Sequence, residues 1–291
     1  MKLSAYCMNC LVKRQLENIT NHEDEELKSN YMKRILFIIS EANEQETAPV
    51  IFAKINKLHQ EYFGAPYSFE ALKKQYNILL LQKEESIWNK IQASDDSLLE
   101  ALKYSRVGNY IDFGAMGSID DDKLNNLLES IQQEHIDSSQ YQAFTKELQS
   151  AGKLVYLTDN CGEVVLDKLF IKCIKNEYPG IHITVIVRGK KVLNDATMED
   201  AKMIGLTEIA DVMDNGTEIA GTCLEQIDIK AKECIEAADV IISKGQGNFE
   251  TLNGCGLNIY YLFLCKCEWF VKRFGMEQFK GVFINDRNCF L

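Results

Sequence analysis

An acidic residue, an amide and a glycine directly follow one apolar run in the middle of the chain. The segment "KLVYLTDNCGEVVLDKL" begins at Lys153 with the composition of a buried strand and continues with Asp159, Asn160 and Gly162. Carboxylate and amide oxygens suit a hard divalent cation such as Mg²⁺ or Mn²⁺. The glycine opens an amphipathic segment, and the free N–H groups of a helix start favour an anion. The pattern therefore predicts a site that binds a divalent cation and an anion next to each other. The alternative is a plain strand-to-helix turn with a helix cap.

Three other apolar runs also end in polar or charged residues. The run "HITVIV" is followed by Arg188 and, a few residues later, by Asp195. The run "ADVIIS" leads into a glycine-rich segment, and "LNIYYLFL" leads into "CKCEW". The residues at these two ends are Lys244, Gly245, Gly247, Asn248, Glu250 and Lys266. Because the carboxyl ends of parallel strands meet at one edge of a sheet, we expect these side chains to gather with Asp159.

These residue types suit metal-assisted hydrolysis of a phosphate ester. Asp159, Asn160 and Asp195 would hold a divalent metal and leave positions for water and a substrate oxygen. Gly245 and Gly247 would let backbone N–H groups approach the phosphoryl group. The cations predicted to balance its charge are Arg188, Lys244 and Lys266.

Each of these residues also has a structural interpretation. Asp195 can belong to the loop ahead of a helix capped by Thr197, and Arg188 and Lys266 can be surface charges. The glycine-rich segment after Lys244 can serve loop geometry alone, although two glycines weaken a helix or a strand. Because such residues recur at several strand ends, the functional interpretation is favoured.

A non-periodic segment, "RVGNYIDFGAMGS", lies between two helical patterns upstream. Its Asn109 and Asp112 are predicted to reach the sheet edge and contact the substrate, with a helix–helix connection as the alternative. Two nucleotide-binding motifs are excluded, since "GQGNFE" has Glu250 where a third glycine belongs and no G-x-x-x-x-G-K-[ST] occurs. A haloacid-dehalogenase-type site would need a second acid at the position of Cys161.

The composition excludes several other classes of protein. The chain has 291 residues and a formal net charge of -11, which argues against a nucleic-acid partner. The longest apolar run near the C-terminus, "IYYLFLC", is too short to span a bilayer, and the first residues lack a signal-peptide core. We therefore expect a cytoplasmic protein without a membrane partner.

Ten cysteines without an export signal are typical of reduced thiols. Cys7 and Cys10 form a C-x-x-C, which is half of a zinc site or a redox pair. Cys265 and Cys267 are the nearest candidates to complete a tetrahedral metal site. Incidental or buried thiols are the alternative interpretation.

Helical patterns and β-rich runs must position these residues. Residues 1–150 show apolar residues at helical spacing, with Ser68 as one predicted N-cap, and are predicted to form a helical domain. Residues 151–291 alternate short β-rich runs with helical stretches, which predicts βαβ units. The predicted fold class is α/β, with a helical N-terminal region followed by a Rossmann-like, mostly parallel sheet flanked by helices. The predicted strands are "KLVYLT", "IHITVIV", "ADVIISK", "LNIYYLFL" and "KGVFIN", with "IADVMD" as a further short one.

The ordered set of motifs resembles the damage-control phosphatase family. The set consists of "TDNCGEVVLDKL", "VRGKKVLNDATMEDA" and "SKGQGNFETL", with "GNYIDFG" upstream and "KC" at 266–267. This family was long a domain of unknown function, and its human branch was named an acidic-residue methyltransferase. The "CMNC" near the start is similar to the C-x-x-C of the prokaryotic branch. The resemblance implies a phosphatase that uses a divalent metal (Mn, Mg, Co or Ni) and acts on damaged or surplus phosphometabolites such as sugar phosphates.

The resemblance also implies roles for individual residues. The family holds its metal with an Asp-Asn pair and a later Asp, which correspond to Asp159, Asn160 and Asp195. Residues that match the family's active-site and upstream motifs are Glu163, Lys244, Asn248, Asn109 and Asp112. Lys191 stands where the family is expected to have a proline, which adds charge near the site and leaves the metal residues untouched.

Two mechanisms and two other functions stay open. Either Asp159 attacks and forms an aspartyl-phosphate or water attacks instead, while Lys244 and the amides of residues 245–248 stabilise the developing charge. A carboxyl methyltransferase using S-adenosylmethionine also suits a Rossmann-like sheet, although the first turn here is acidic and poor in glycine. A non-catalytic phosphometabolite-binding or redox-sensing protein would use Cys7 and Cys10 as its switch.

Overall fold

The computed structural model describes residues 1–64, 68–110 and 121–289 of the chain. Helices in this described part precede the first strand, as the periodicity predicts. They are α1 (Ala5–Asn18), α2 (Glu25–Ser40), α3 (Ala48–Phe63), α4 (Glu70–Gln92), α5 (Ser97–Gly108), α6 (Asp121–Glu129) and α7 (Ser138–Leu148), with a 3₁₀ turn at Ser130–Gln133. Among the described helices, none combines the length and the apolar character that crossing a bilayer requires.

Capping groups explain where helices of the first half begin. At the start of α2, the Asp24 carboxylate accepts a hydrogen bond from the amide of Leu27 at 2.8 Å. The predicted cap Ser68 is wrong by one position, because Phe69 directly precedes the first residue of α4. The Ser68 hydroxyl lies 3.4 Å from the amide of Glu70, the first helical residue, whereas a capping side chain reaches the second or third.

A six-stranded sheet forms the centre of the second half. Its strands are β1 (Lys153–Leu157), β2 (His182–Val187), β3 (Asp211–Asp214), β4 (Val240–Lys244), β5 (Ile259–Leu264) and β6 (Gly281–Asn285). They lie in the order β3-β2-β1-β4-β5-β6, and all neighbours are parallel except β5 and β6. The helices that accompany them are α8 (Glu163–Glu177), α9 (Met198–Met203), α10 (Ile229–Glu236), α11 (Gln246–Leu252) and α12 (Glu268–Phe274). This confirms the predicted Rossmann-like sheet, including its short strand β3.

Alternate side chains of the strands enter two cores, one on each face of the sheet. In β1, Tyr156 belongs to the core shared with α4, α5 and α8, whereas Val155 belongs to the core shared with α10, α11 and α12. Both faces of the sheet are covered, which is why the strands are continuous apolar runs in the sequence. The first core includes residues from both sides of residue 150, and the division into two domains stays a prediction.

The first three helices surround a separate buried cluster that includes Tyr31, Ile35 and Ile55. Val192, from the loop after β2, is buried in the same cluster. The helical region thus packs against a loop at the carboxyl edge of the sheet, where the predicted site lies.

The glycine-rich segment after β4 is the start of a helix and not a loop. β4 ends at Lys244, Gly245 has a φ of 81°, and α11 begins at the next residue, Gln246. A positive φ suits glycine because it has no Cβ. One glycine therefore makes the reversal, and Gly247 and Asn248 lie in the first turn of a helix.

Candidate active site

The loop after β2 folds back onto the carboxyl end of β1. Asn160 and Asp195 form an isolated antiparallel bridge, and the amide of Ala196 donates to the carbonyl of Asp159 at 2.7 Å. The amide of Arg188 donates to the carbonyl of Ala196 at 2.9 Å, which closes the loop on itself. These bonds bring the two predicted carboxylates and the predicted amide together, beside the point where the strand order reverses.

Asp159 lies at the centre of this edge. The side-chain amides of Asn109 and Asn160 donate to its Oδ2 at 3.0 and 2.8 Å. Burial raises the pKa of Asp159 well above its ordinary value, and the carboxylates of Asp195 and Glu163 raise it further. The ionised form of Asp159 is thus disfavoured in this position, and a bound cation would favour it again.

Arg188 is a buried cation beside these acids, only 2% exposed. Its Nε donates to Asp195 Oδ2 at 2.6 Å, and its Nη1 donates to the Gly221 carbonyl and to Asn248 Oδ1, both at 3.0 Å. Its Nη2 lies 3.8 Å from Asp159 Oδ1 and has no hydrogen-bond partner within the described chain. The structure therefore brings Arg188 to the edge, where Nη2 forms an ion pair with Asp159 but no hydrogen bond within the described chain.

Lys244 lies behind Glu163 and does not face the open edge. Its ammonium is fully buried and contacts Glu163 Oε1 at 2.7 Å, Asp167 Oδ1 at 2.5 Å and the Ser105 carbonyl at 2.7 Å. Desolvation lowers the pKa of Lys244, but the two carboxylates outweigh it and the net pKa is raised. An ammonium has three N–H donors, and here all three have protein acceptors. The placement differs from the predicted one, because α5 and α8 supply acceptors from outside the motif.

Asn248, Gly245 and Gly247 hold the strand ends together. The Asn248 side chain donates to carbonyl oxygens at the carboxyl ends of β1 and β4, at 3.0 and 2.7 Å. A Cβ at Gly245 would lie 2.2 Å from Asp159 Oδ2, and one at Gly247 would lie 2.0 Å from a backbone oxygen of the loop before α10. Close approach of neighbouring groups therefore requires both glycines.

Lys266 and Asp112 are the two other residues that are predicted to contact the substrate. The Lys266 amide donates to Gln246 Oε1 at 2.6 Å, and its charge opposes the rise in the Asp159 pKa that burial causes. Asp112 lies outside the described residues. Lys266 is therefore placed near the edge, and the role of Asp112 stays a prediction.

The four cysteines form no complete metal-binding group in the described chain, although Cys7 lies close enough to Cys10 and to Cys267 for electrostatic interaction. Cys7 is partly buried and Cys10 is exposed on α1, while Cys265 is buried at the end of β5. Within residues 1–64, 68–110 and 121–289, no three His, Cys, Asp or Glu side chains form a group that would hold a metal ion. A role for the C-x-x-C stays a prediction.

The chemistry of the acid–amide set at the edge fits a divalent metal. Asp159, Asp195 and the Asn160 amide supply hard oxygen donors. Asn160 Oδ1 accepts one hydrogen bond, from Asn194 at 2.8 Å, and an amide oxygen has a second lone pair. The described residues contain no group of three Asp, Glu, His or Cys side chains that could hold a metal ion. A metal at this edge would therefore need the Asn160 amide oxygen and water as additional ligands.

Four contacting residues were not singled out from the sequence: Ser105, Asp167, Asn194 and Thr222. Asp167 and Asn194 lie within the quoted motifs, whereas Ser105 and Thr222 lie outside them. Asp167 follows Glu163 by one turn of α8, and a pair of acids at this spacing on an apolar helix is a signal of a buried cationic partner. Thr222 Oγ1 donates to Asn248 Oδ1 at 2.8 Å from a loop that has no recognisable motif.

A cavity of about 840 Å³ lies apart from these residues. It is bounded by α1, α3, the start of α4 and the loop after β2, and its described lining includes Arg14, His59, Lys73, Lys191 and Asp200. None of the strand-end acids, amides or glycines described above belongs to that lining. The chemistry of the side chains, and not cavity volume, therefore locates the candidate site.

The strand order defines a Rossmann-like α/β protein, and the candidate acid–amide site lies at its topological switch point. The profile of the damage-control phosphatase ARMT1-like domain matches residues 3–282. The chain therefore belongs to the ARMT1-like damage-control phosphatase family, as the resemblance of its motifs predicts.

Relatives share the whole length of the chain. A damage-control phosphatase of Archaeoglobus fulgidus is 30% identical over 286 residues, covering 95% of this chain and 96% of that protein. A damage-control phosphatase of Pyrococcus horikoshii is 27% identical over 295 residues, covering 100% and 99%. The crystal structure of a DUF89 family protein from Pyrococcus horikoshii matches with a TM-score of 0.84 at 25% identity, covering 98% of this chain and 99% of that one. The similarity thus includes both sequence and fold.

Proposed function

We propose that this protein is a metal-dependent phosphatase that hydrolyses phosphate monoesters of small phosphometabolites, such as sugar phosphates. Membership of the damage-control phosphatase family supports the phosphatase role. The observation that carries the proposal is that Asp159, Asn160 and Asp195 lie together beside Arg188, whose Nη2 makes no hydrogen bond within the described chain. Oxygen ligands for a cation and a cationic donor for an anion are the parts that this reaction needs.

Asp159, Asn160 and Asp195 would hold the metal, for which Mn²⁺, Mg²⁺, Co²⁺ and Ni²⁺ are the candidates. When bound, such an ion polarises a phosphoryl oxygen and favours ionised water at neutral pH. The chain itself keeps the three ligands together through the backbone bonds of the loop after β2, and Asn109 holds the Asp159 carboxylate through its amide.

The substrate contacts are proposed from the cations and backbone amides that lie near Asp159. Arg188 would bind a phosphoryl oxygen through Nη2, because protein acceptors occupy its other two nitrogens. Lys266 and the amides of residues 246–248 would contact the same group. The Gly245 amide instead donates to the Leu262 carbonyl at 3.2 Å. Asp159 acts either as the nucleophile of an aspartyl-phosphate or as a base toward attacking water. Asp112 is proposed as a further contact on the resemblance alone.

Three residues that the motifs indicate as catalytic are proposed to act as supports. Glu163, Lys244 and Asn248 are fully buried, and their polar side-chain atoms bond to protein groups. They would affect the substrate only through the residues that they hold.

The carboxyl methyltransferase and the non-catalytic alternatives are not favoured. The turn after β1 carries an acid and an amide where methyltransferases usually place glycines, and the relatives are named as phosphatases. We also propose a cytoplasmic location and a small phosphorylated metabolite as the partner, with no nucleic acid and no membrane. The net charge of -11 supports the exclusion of nucleic acid.

The test is phosphate release from sugar phosphates, nucleotides and p-nitrophenyl phosphate, without metal and with Mg²⁺, Mn²⁺, Co²⁺ or Ni²⁺. We expect turnover with at least one metal, and a rate at least about 100-fold lower for Asp159→Asn. Asp211→Asn is the matched control, because Asp211 is an exposed carboxylate at the start of β3. Its rate should equal that of the unsubstituted protein.

Two outcomes would contradict the proposal. Folded protein that releases no phosphate with any of these metals is not the proposed enzyme. Equal rates for the Asp159 and Asp211 variants would place the chemistry elsewhere. Binding of S-adenosylmethionine in a calorimetric titration would then favour methyl transfer.

A further inference from the structure

A buried network lies on the far side of Glu163 from the sheet edge. Asp167 Oδ1 accepts hydrogen bonds from Lys244 Nζ at 2.5 Å, from Ser105 Oγ at 2.7 Å and from Tyr156 OH at 2.8 Å. Asp167 and Lys244 are both fully buried, on α8 and at the end of β4. The serine belongs to α5, so the network joins the helical region to the sheet.

The network ends on Glu163, one turn earlier on α8. Lys244 Nζ contacts Glu163 Oε1 at 2.7 Å. The Glu163 carboxylate in turn accepts from Nδ2 of Asn109 at 3.0 Å and from Nδ2 of Asn160 at 2.8 Å. These two groups, which we call the edge amides, are also the donors to Asp159 Oδ2. An unbroken series of contacts therefore leads from the network to the central carboxylate of the site.

We infer that Asp167 is a positioning residue for the proposed phosphatase. It holds the Lys244 ammonium against Glu163, and Glu163 in turn holds the edge amides against the carboxylate that would bind the metal. The inference rests on the proposed function. It assigns Lys244 to orientation, because its three N–H donors have buried acceptors and none remains for a ligand.

Fold stability alone does not account for this arrangement. Asp167, Lys244 and Glu163 are all fully buried, and such groups seldom stabilise a fold more than apolar residues of the same volume, because desolvation opposes them. Asp167 Oδ2 is also buried without a hydrogen-bond partner in the described chain, which is unfavourable. A Cβ at Gly108 would lie 3.1 Å from Glu163 Cγ, so α5 packs directly on the side chain that the network orients.

The test compares Asp167→Asn with Glu84→Gln in the complete chain. Glu84 on α4 pairs with Lys168, the residue after Asp167 on α8, at 2.6 Å. Its substitution removes an ion pair from the same helix and leaves the network intact. The edge amides are followed by ¹H–¹⁵N NMR, with signals assigned by Asn109→Asp and Asn160→Asp, and kcat and KM are measured for phosphate release.

For Asp167→Asn we expect displaced signals of both edge amides and a kcat lower by about 10- to 100-fold, with KM within about threefold of its original value. KM is retained because the groups that contact the substrate remain. Glu84→Gln should leave the signals and kcat unchanged. A purely structural role of Asp167 would lower the thermal midpoint of Asp167→Asn and leave the edge amides in place.

Folded Asp167→Asn with unmoved edge amides and an unchanged kcat overturns the inference. If that variant does not fold, Ser105→Ala decides instead, because it removes one acceptor of Lys244 and one donor to Asp167. We expect a smaller displacement and a kcat lower by about three- to tenfold, and unmoved signals with normal kcat overturn the inference.

The NMR signals separate this inference from the proposed function. If the folded, complete chain releases no phosphate in the assay, the phosphatase proposal is contradicted. The NMR signals of the edge amides in Asp167→Asn still show whether Asp167 positions these amides, because they can be measured without phosphate release.

Discussion

Arg188 joins three parts of the sheet edge through one guanidinium group. Its Nε bonds to Asp195, and its Nη1 bonds to the Gly221 carbonyl and to Asn248. A planar cation makes these bonds in fixed directions, and Nη2 keeps no protein hydrogen bond within the described chain. Lys244 differs in this respect, because its donors all have buried acceptors.

Replacing Arg188 by lysine should keep the positive charge and remove the planar guanidinium group with its fixed hydrogen-bond directions. We expect kcat/KM to fall by at least about tenfold, because one ammonium cannot hold Asp195 and reach a phosphoryl oxygen together. The control is Lys191→Ala, since Lys191 is exposed and pairs with Glu70 at the surface, and it should change kcat/KM by less than about twofold. Phosphate-release kinetics measure both. An unchanged kcat/KM in Arg188→Lys would remove Arg188 from the substrate contacts.

At the scale of elements, the junction of β4 and α11 depends on one backbone conformation. Gly245 has a φ of 81°, and its Cα faces the Asp159 carboxylate without room for a Cβ. Gly254, just beyond α11, has a φ of 79° and open space around it. Both glycines therefore have a positive φ, and they differ in what a new methyl group would meet.

Gly254→Ala should lower the free energy of unfolding by about 1–3 kcal/mol, because a Cβ is strained at positive φ. Gly245→Ala should lower it further, because its Cβ would also overlap the Asp159 carboxylate. Only Gly245→Ala should also displace Asp159, since its methyl group would lie 2.2 Å from Oδ2. We expect phosphate release at least about 100-fold slower in Gly245→Ala and near normal in Gly254→Ala. Urea unfolding and the phosphate assay measure the two effects. Equal activity in both variants would argue against the role assigned to Asp159.

At the scale of the whole molecule, the helical region completes both the core and the site. Helices α4 and α5 share the buried core of α8 and β1. The Asn77 side chain of α4 accepts from the amide of Gly162 at 2.7 Å and donates to Asp200 at 2.9 Å. Asn109, at the end of α5, supplies one of the edge amides. Removal of the first half would therefore expose one face of α8 and open the site.

Residues 151–291 produced alone should neither unfold cooperatively in urea nor release phosphate, whereas the complete chain should do both. The physical reason is the loss of the apolar partners that α4 and α5 provide to α8. Circular dichroism during urea titration measures cooperativity. A sharp transition of the fragment, with a slope expected for its size, would show that the second half is an independent folding unit.

Local sequence patterns were sufficient for the strands and for most helices. Burial leaves a period in the sequence, so β1 to β6 and the helical first half follow from apolar spacing. The start of α4 and the backbone conformation after Lys244 could not be predicted correctly from local patterns. The cap of a helix depends on which side chain reaches which amide, and the segment with Gly245 and Gly247 has signals for both a turn and a helix start.

The sequence by itself determined which residues reach the carboxyl edge of the sheet, because strand ends are local features and parallel strands share one edge. Only the tertiary structure decided how those residues are used. The acceptors that bury the Lys244 ammonium lie 139 positions away in Ser105 and 77 positions away in Asp167, beyond any local pattern. Burial and hydrogen-bond satisfaction arise from packing between distant segments, and they determine which cation faces a ligand and which one supports the site from behind.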